Sequence, residues 1–192
     1  METDWLNKWR VPVGVAIAVI FLVIAVNPFV IISPGQAGVI SILGKAKEGA
    51  LYEGIHVKPP LIAKVDIYDL TVQKFEVPAQ SSTKDLQDLS ARFAINFRLA
   101  ADRVVEIRRK QGTLANIVST IIAPQTQESF KIAAARRTVE EAVTQRPALK
   151  QDFDDALSDR LASYGIIVLD TSVVDLDFSP EFTKAVEEKQ IA

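Results

Sequence analysis

Three groups of residues in this 192-residue chain have types and spacings that invite chemistry. His56 is the only histidine, so a histidine-ligated metal or a Ser-His-Asp relay would have to use it. Its neighbours are Gly54, Pro59 and Pro60, which fit a histidine at the edge of a turn better than a catalytic base. Ser81-Ser82-Thr83-Lys84 carries a Ser-x-x-Lys spacing, the arrangement of some serine nucleophiles. That chemistry needs a helix to set lysine beside serine, whereas here a loop entering a strand is expected. Asp152, Asp154, Asp155 and Asp159 invite a paired-carboxylate reading. They surround Phe153, Leu157 and Leu161, which is the pattern of a solvated helix face around an apolar stripe. No catalytic residue is assigned.

Other chemistries fail on composition. There is no cysteine, which excludes a disulfide framework, a thiolate nucleophile and a cysteine-ligated metal. Net charge is -2, and the densest basic cluster, Arg108-Arg109-Lys110, is too short for a phosphate-tracking surface, so nucleic acid is not an expected partner. The glycines at 35, 38, 44, 49 and 54 lack both the spacing and the following helix of a phosphate loop. No metal or cofactor is expected.

The elements that would position these residues begin with an uncharged run from Val11 to Ile32. At 1.5 Å per residue its length is about 33 Å, close to a bilayer's hydrocarbon thickness. Val, Ile, Leu and Phe dominate it and outweigh Pro12, Asn27 and Pro28 near its ends. Trp5 and Trp9 share a helix face just before it, beside Lys8 and Arg10, as an interfacial anchor does. Trp5, Trp9, Val11, Phe21 and Ile32 are therefore expected to meet lipid. A cleaved signal peptide is a poorer reading, because the run is too long and no A-x-A site follows. A buried core helix is poorer too, given the length without charge. Gly14 and Ala18 form a small-xxx-small pair. Lys8 and Arg10 lie closer to the run than Lys45 and Lys47, which favours a cytoplasmic N-terminus and a main domain on the other face.

Beyond Ser33-Pro34-Gly35 the pattern is α+β. Gly38–Leu43, the segment around Gly54–Pro60, and Val65–Val77 read as strands, the last with a bulge or break. Leu89–Leu99 alternates cleanly: Leu89, Ala91, Phe93, Ile95, Phe97 and Leu99 share one face, so a half-buried antiparallel strand is expected. Asp102 is placed to cap a short helix ending at Gly112. A longer helix begins near Thr113, with an interruption at Pro124. Thr138-Val139-Glu140-Glu141 has capping-box spacing, and Pro147 suits the first turn of the next helix. In that helix Leu149, Phe153, Leu157 and Leu161 recur every four residues, and Gly165 ends it. Ile166–Phe178 is a second long strand. Ser179-Pro180-Glu181 opens a final helix, expected to run on past Ala192. Arg136 and Arg137 stand four residues from Glu140 and Glu141, a spacing for helix-surface ion pairs or for pairing across subunits.

Ser82-Thr83-Lys84-Asp85-Leu86-Gln87 leading into the alternating strand, and Leu176-Asp177-Phe178-Ser179-Pro180-Glu181-Phe182 followed by Ala185-Val186-Glu187 and Lys189-Gln190, resemble the prohibitins. Tyr164-Gly165-Ile166 and the order of short helices match as well, so the resemblance covers nearly the whole chain. It is blurred over Ala123–Ala135. Stomatins share the wider SPFH (band 7) domain but lack the Leu-Gln after their Lys-Asp. The resemblance implies an N-terminal tail (1–10), a transmembrane helix (11–32), an SPFH domain (33–178) in two subdomains with a boundary near 82–88, and the start of a coiled-coil helix (179–192). It also implies subunits that build large rings or cages around a membrane patch and associate with the membrane AAA protease FtsH. Lys84, Asp85, Arg136, Arg137, Glu140, Glu141, Phe182 and Val186 are the candidate contacts between subunits. The rival readings are a membrane-tethered hydrolase using Ser81 or Ser82 with Lys84, and a monomeric stomatin-like accessory subunit.

Overall fold

The computed structural model describes residues 4–25 and 27–178, with side chains described for 12–22 and 27–177. The chain forms two compact units, one ending at Ile67 and the other beginning at Tyr68.

In the first unit, helix α1 (Asp4–Ala25) takes most of the uncharged run. It stops short of the expected end because Asn27 adopts φ 47° and Pro28 follows, and neither continues a helix. Phe29–Ile32 is instead a strand, β1, paired antiparallel with β4 (Gly54–Val57). The expected span over 11–32 is corrected accordingly, and so is the lipid role of Ile32. That side chain is 1% exposed, and a Cβ added to Gly38 would lie 2.9 Å from its Cδ1. Among the described residues no helix is long and apolar enough to cross a membrane. A second sheet runs β3 (Lys45–Ala46), β2 (Gln36–Ile42), β5 (Ala63–Asp69), with Ala37, Val39 and Ile40 of β2 buried.

The expected break between Val65 and Val77 falls after β5, where the Asp69 carboxylate accepts the amide and hydroxyl of Thr71. These two hydrogen bonds, the hydroxyl's first, hold the Asp69 carboxyl below its ordinary range. The division between units therefore lies near this turn and not at 82–88. Those residues join β6 (Gln73–Ser82) to β7 (Asp88–Leu99) as one hairpin of the second unit.

The second unit is an antiparallel sheet in the order β6-β7-β8, with β8 at Ile166–Phe178. The period-two face of β7 is its core: Leu89, Ala91, Phe93, Ile95, Phe97 and Leu99 are all buried. Two helices cover it. Phe93 stacks on Phe153 with centroids 4.0 Å apart and meets Phe130 edge-on at 5.0 Å. Phe153 belongs to α6 (Arg146–Ala162), whose Leu149, Phe153, Leu157 and Leu161 stripe is buried as the spacing requires. Two departures are local. Asp102 lies inside a 3-10 turn (Ala101–Arg103) and caps nothing; α2 follows as Val104–Lys110. Pro124 does not interrupt its helix. The chain runs from α3 (Leu114–Ile117) through a π turn (Val118–Ile122) into α4 (Ala123–Ala135). The wider turn just ahead of the proline accommodates its missing N–H and its ring.

Candidate assembly site

The densest polar constellation in the second unit lies where the β6–β7 hairpin meets the segment between α4 and α5 (Val139–Thr144). Thr83 is buried and organises the tip. Its hydroxyl lies 2.6 Å from Asp85 Oδ1 and accepts the amide of Gln87 at 3.1 Å. Its backbone N–H donates to Gln87 O, and Leu86 N–H donates to Thr83 O. The tip is then bolted sideways: Lys84 N–H donates to Arg137 O at 2.8 Å, and Asp85 Oδ1 accepts the N–H of Val139 at 3.1 Å. The Thr83 hydroxyl, before any other contact, holds the Asp85 carboxyl below its ordinary range.

Across this seam the expected capping box closes as read. Thr138 Oγ1 accepts the Glu141 amide and the Glu141 carboxylate accepts the Thr138 amide. Helix α4 ends at Ala135 and Thr138 is extended, so Arg136, Arg137, Glu140 and Glu141 do not share a helix. Within the subunit the four-residue spacing therefore makes none of the helix-surface pairs it implied. Both arginines turn to Asp152 of α6, Arg137 Nη2 at 2.5 Å and Arg136 Nη1 at 3.3 Å. Of the two, Arg137 is the more buried. Asp85, Arg137 and Glu141 are thus engaged inside the subunit, while the side chains of Lys84, Arg136 and Glu140 face solvent. Phe182 and Val186 lie outside the described residues, as do the side chains of Trp5, Trp9 and Val11.

The structure does not assemble the enzymatic candidates. Ser81 and Ser82 sit at the end of strand β6; Ser81 Oγ donates to Ser82 O, and Ser82 Oγ donates to Asp88. Neither meets Lys84, because no helix brings positions i and i+3 together. His56 belongs to β4 of the first unit, its Nε2 2.7 Å from Tyr52 O. Two of the four acidic residues of α6 are paired. Asp152 takes the two arginines, while Asp154 takes Lys150 at 2.6 Å and the buried Thr171 hydroxyl. The Asp154 carboxylate raises the Lys150 ammonium above its ordinary value. Among the described residues no His, Cys, Asp or Glu cluster could hold a metal ion.

One residue that covers a sheet edge had no sequence signal. Gln127 of α4 reaches the outer edge of β6, accepting the Gln80 amide at 3.1 Å and donating to the Gln80 carbonyl. A side-chain amide thereby occupies an edge that could otherwise pair with a neighbouring strand.

An antiparallel sheet covered by short helices, with its polar residues joined into a seam, defines an α+β domain. The profile of the family described as SPFH domain / Band 7 family matches residues 30–192, and the chain belongs to that family, in its prohibitin branch. It is 34% identical over 140 residues to Prohibitin 1 of Mus musculus, covering 73% of this chain and 51% of that protein. Prohibitin-1 of Saccharomyces cerevisiae is 31% identical over 159 residues, covering 82% and 55%. Prohibitin-7, mitochondrial, of Arabidopsis thaliana is 30% identical over 146 residues, covering 76% and 52%. The chain spans about half the length of the curated relatives it matches.

Proposed function

We propose that the chain is a membrane-anchored scaffold subunit that joins copies of itself into a large ring or cage. In this reading it organises the enclosed membrane patch and restrains or organises a membrane AAA protease of the FtsH type. The supporting observation is a set of apolar side chains left in the open. Phe29 and Ile31 of β1 pair across the strands with Val57 and Ile55 of β4, and the four are 55, 68, 68 and 71% exposed. An apolar quartet on one face has no reason to persist in water, and such patches mark protein or membrane contacts. It follows directly on α1, in which every described side chain from Pro12 to Leu22 is exposed, Phe21 among them.

Lipid is accordingly the proposed partner of α1, with Trp5 and Trp9 as interfacial anchors. Self-assembly is the second part. It draws on family membership and on a Caenorhabditis elegans relative, 31% identical over 146 residues, that is named a mitochondrial prohibitin complex protein. Copies each held to the same bilayer raise one another's effective concentration, so weak lateral contacts suffice. Phe182 and Val186 are proposed as further contacts with a neighbouring subunit.

Sizing a mild-detergent extract of membranes that carry the protein tests this reading. A particle many times the mass of one 21.1 kDa chain is expected. A strictly monomeric extract, or release of the chain from membranes by alkaline carbonate, refutes it.

A further inference from the structure

The β6–β7 tip holds a leucine in solvent in a backbone conformation that disfavours it. Leu86 is 83% exposed at φ 60°, a left-handed region that residues other than glycine seldom occupy and that costs least for Asn and Asp. The tip is not slack, because Thr83, Lys84 and Asp85 fix it to itself and to Arg137 and Val139. The frame therefore aims an apolar knob outward, and observed strain of this kind points to use. Leu43 and Leu61 of the first unit share the sign of φ and the exposure, but they lack this side-chain frame.

On the same unit, β8 and α6 leave an apolar hollow of about 420 Å³. Phe93, Phe130 and Phe153 line it, with Pro147, Val173 and Leu176. No residue of the tip lines it, and the bolted tip has no freedom to swing. The hollow is large enough for a leucine and its flanks. The charges match as well. Lys84, Asp85 and Asp88 surround the knob and sum to one negative charge. Of the charged residues that line the hollow, Lys150 is paired with Asp154 and Asp175 with Arg92, which leaves Arg146 as the positive group to face the net negative tip.

Building on the scaffold reading, we propose that Leu86 of one subunit enters this hollow on the next. Knob and hollow occupy different parts of the unit, so each subunit can pass the contact on to the next, as the ring of the scaffold reading requires.

These 192 residues contain no cysteine, so none of them competes with the introduced pair. Two full-length, differently tagged versions, Leu86→Cys and Val174→Cys, are co-expressed and their membranes oxidised. A disulfide-linked dimer carrying both tags is expected, and none from either version alone. In parallel, Leu86→Asp lowers the assembled fraction about tenfold or more, as loss of a central apolar anchor does. Its thermal midpoint stays at the parent value, since aspartate tolerates the left-handed turn. Large particles that give no mixed dimer, or that form equally well with Leu86→Asp, overturn the knob contact and leave the scaffold reading standing. If the parent chain yields no particles, both fall. If the chain's own continuation fills the hollow, Val174→Cys links to Phe182→Cys within one polypeptide, and the proposal is again overturned.

Discussion

Asp85 accepts a hydrogen bond from the backbone N–H of Val139, fifty-four positions along the chain, at 3.1 Å. A carboxylate in a hairpin turn thus satisfies a free amide at the start of α5, beside the one that Thr138 caps. The hairpin and the helix become one rigid piece. Replacing Asp85 with Ala should destabilise the second unit by about 1–2 kcal/mol, and Asp85→Asn by less. Urea unfolding of the pair reads the difference, and equal stability of Asp85→Ala and the parent would count against the seam.

The same contact carries a pH signature. The folded-state pKa of Asp85 lies below the ordinary 3.8, chiefly through the Thr83 hydroxyl. A depressed carboxyl contributes stability that is fully present above 3.8 and is lost as pH falls through the folded value. The parent should therefore lose stability below pH 4 more steeply than Asp85→Asn. Thermal midpoints taken from pH 6 down to pH 2.5 test this, and parallel curves would contradict it.

Arg136 and Arg137 both reach Asp152, but they are not equivalent. The Arg137 side chain is 17% exposed and that of Arg136 is 61% exposed. An exposed pair contributes little, whereas a sheltered one left unpaired is costly. A double-mutant cycle of Arg137→Ala with Asp152→Ala should give a coupling of about 1 kcal/mol or more. The matching cycle with Arg136→Ala should give less than about 0.5 kcal/mol.

Gly165 separates α6 from β8 at φ 76°. A Cβ there would sit 3.2 Å from Arg103 Cβ and 3.2 Å from Ile107 Cδ1. Arg103 cannot yield freely, because its guanidinium holds the last carbonyls of α6, Ala162 O at 2.9 Å and Ser163 O at 3.0 Å. Gly165→Ala should cost about 1–3 kcal/mol. Arg103→Ala should cost about 1 kcal/mol through the lost helix cap. Differential scanning calorimetry of both variants would show whether the glycine is the costlier change.

Phe153 stacks on Phe93, which also meets Phe130 edge-on, and its side chain is 1% exposed. Phe153→Ala should cost about 3–5 kcal/mol, enough to threaten folding of the second unit. Phe153→Leu should recover most of it. Circular dichroism melts rank the three proteins, and a melt of Phe153→Ala at the parent temperature would show that the sheet and α6 do not depend on one another.

How much of this was legible beforehand depended on the range of the interaction. Periodicity located β7 and α6 almost residue for residue, because an alternating or every-fourth apolar pattern can bury only one way, and β8 has the bounds read for it as a strand. The capping box at Thr138 and Glu141 was legible for the same reason, its four residues being contiguous. The SPFH family itself was legible from two short motifs. What local pattern could not settle was competition between elements. Val11–Ile32 is uniformly apolar, so composition alone could not separate the helix from the strand that follows; a left-handed Asn27 and the pairing of Phe29–Ile32 with Gly54–Val57 did so. The arginines at 136 and 137 looked toward Glu140 and Glu141 in sequence and turned to Asp152 in space, because the chain between them is not helical. Asp85 and Gln127 found backbone partners 54 and 47 positions away. Such contacts exist only once β6, α4 and α5 have packed, so the tertiary arrangement decided which polar residues lock the second unit and which stay exposed.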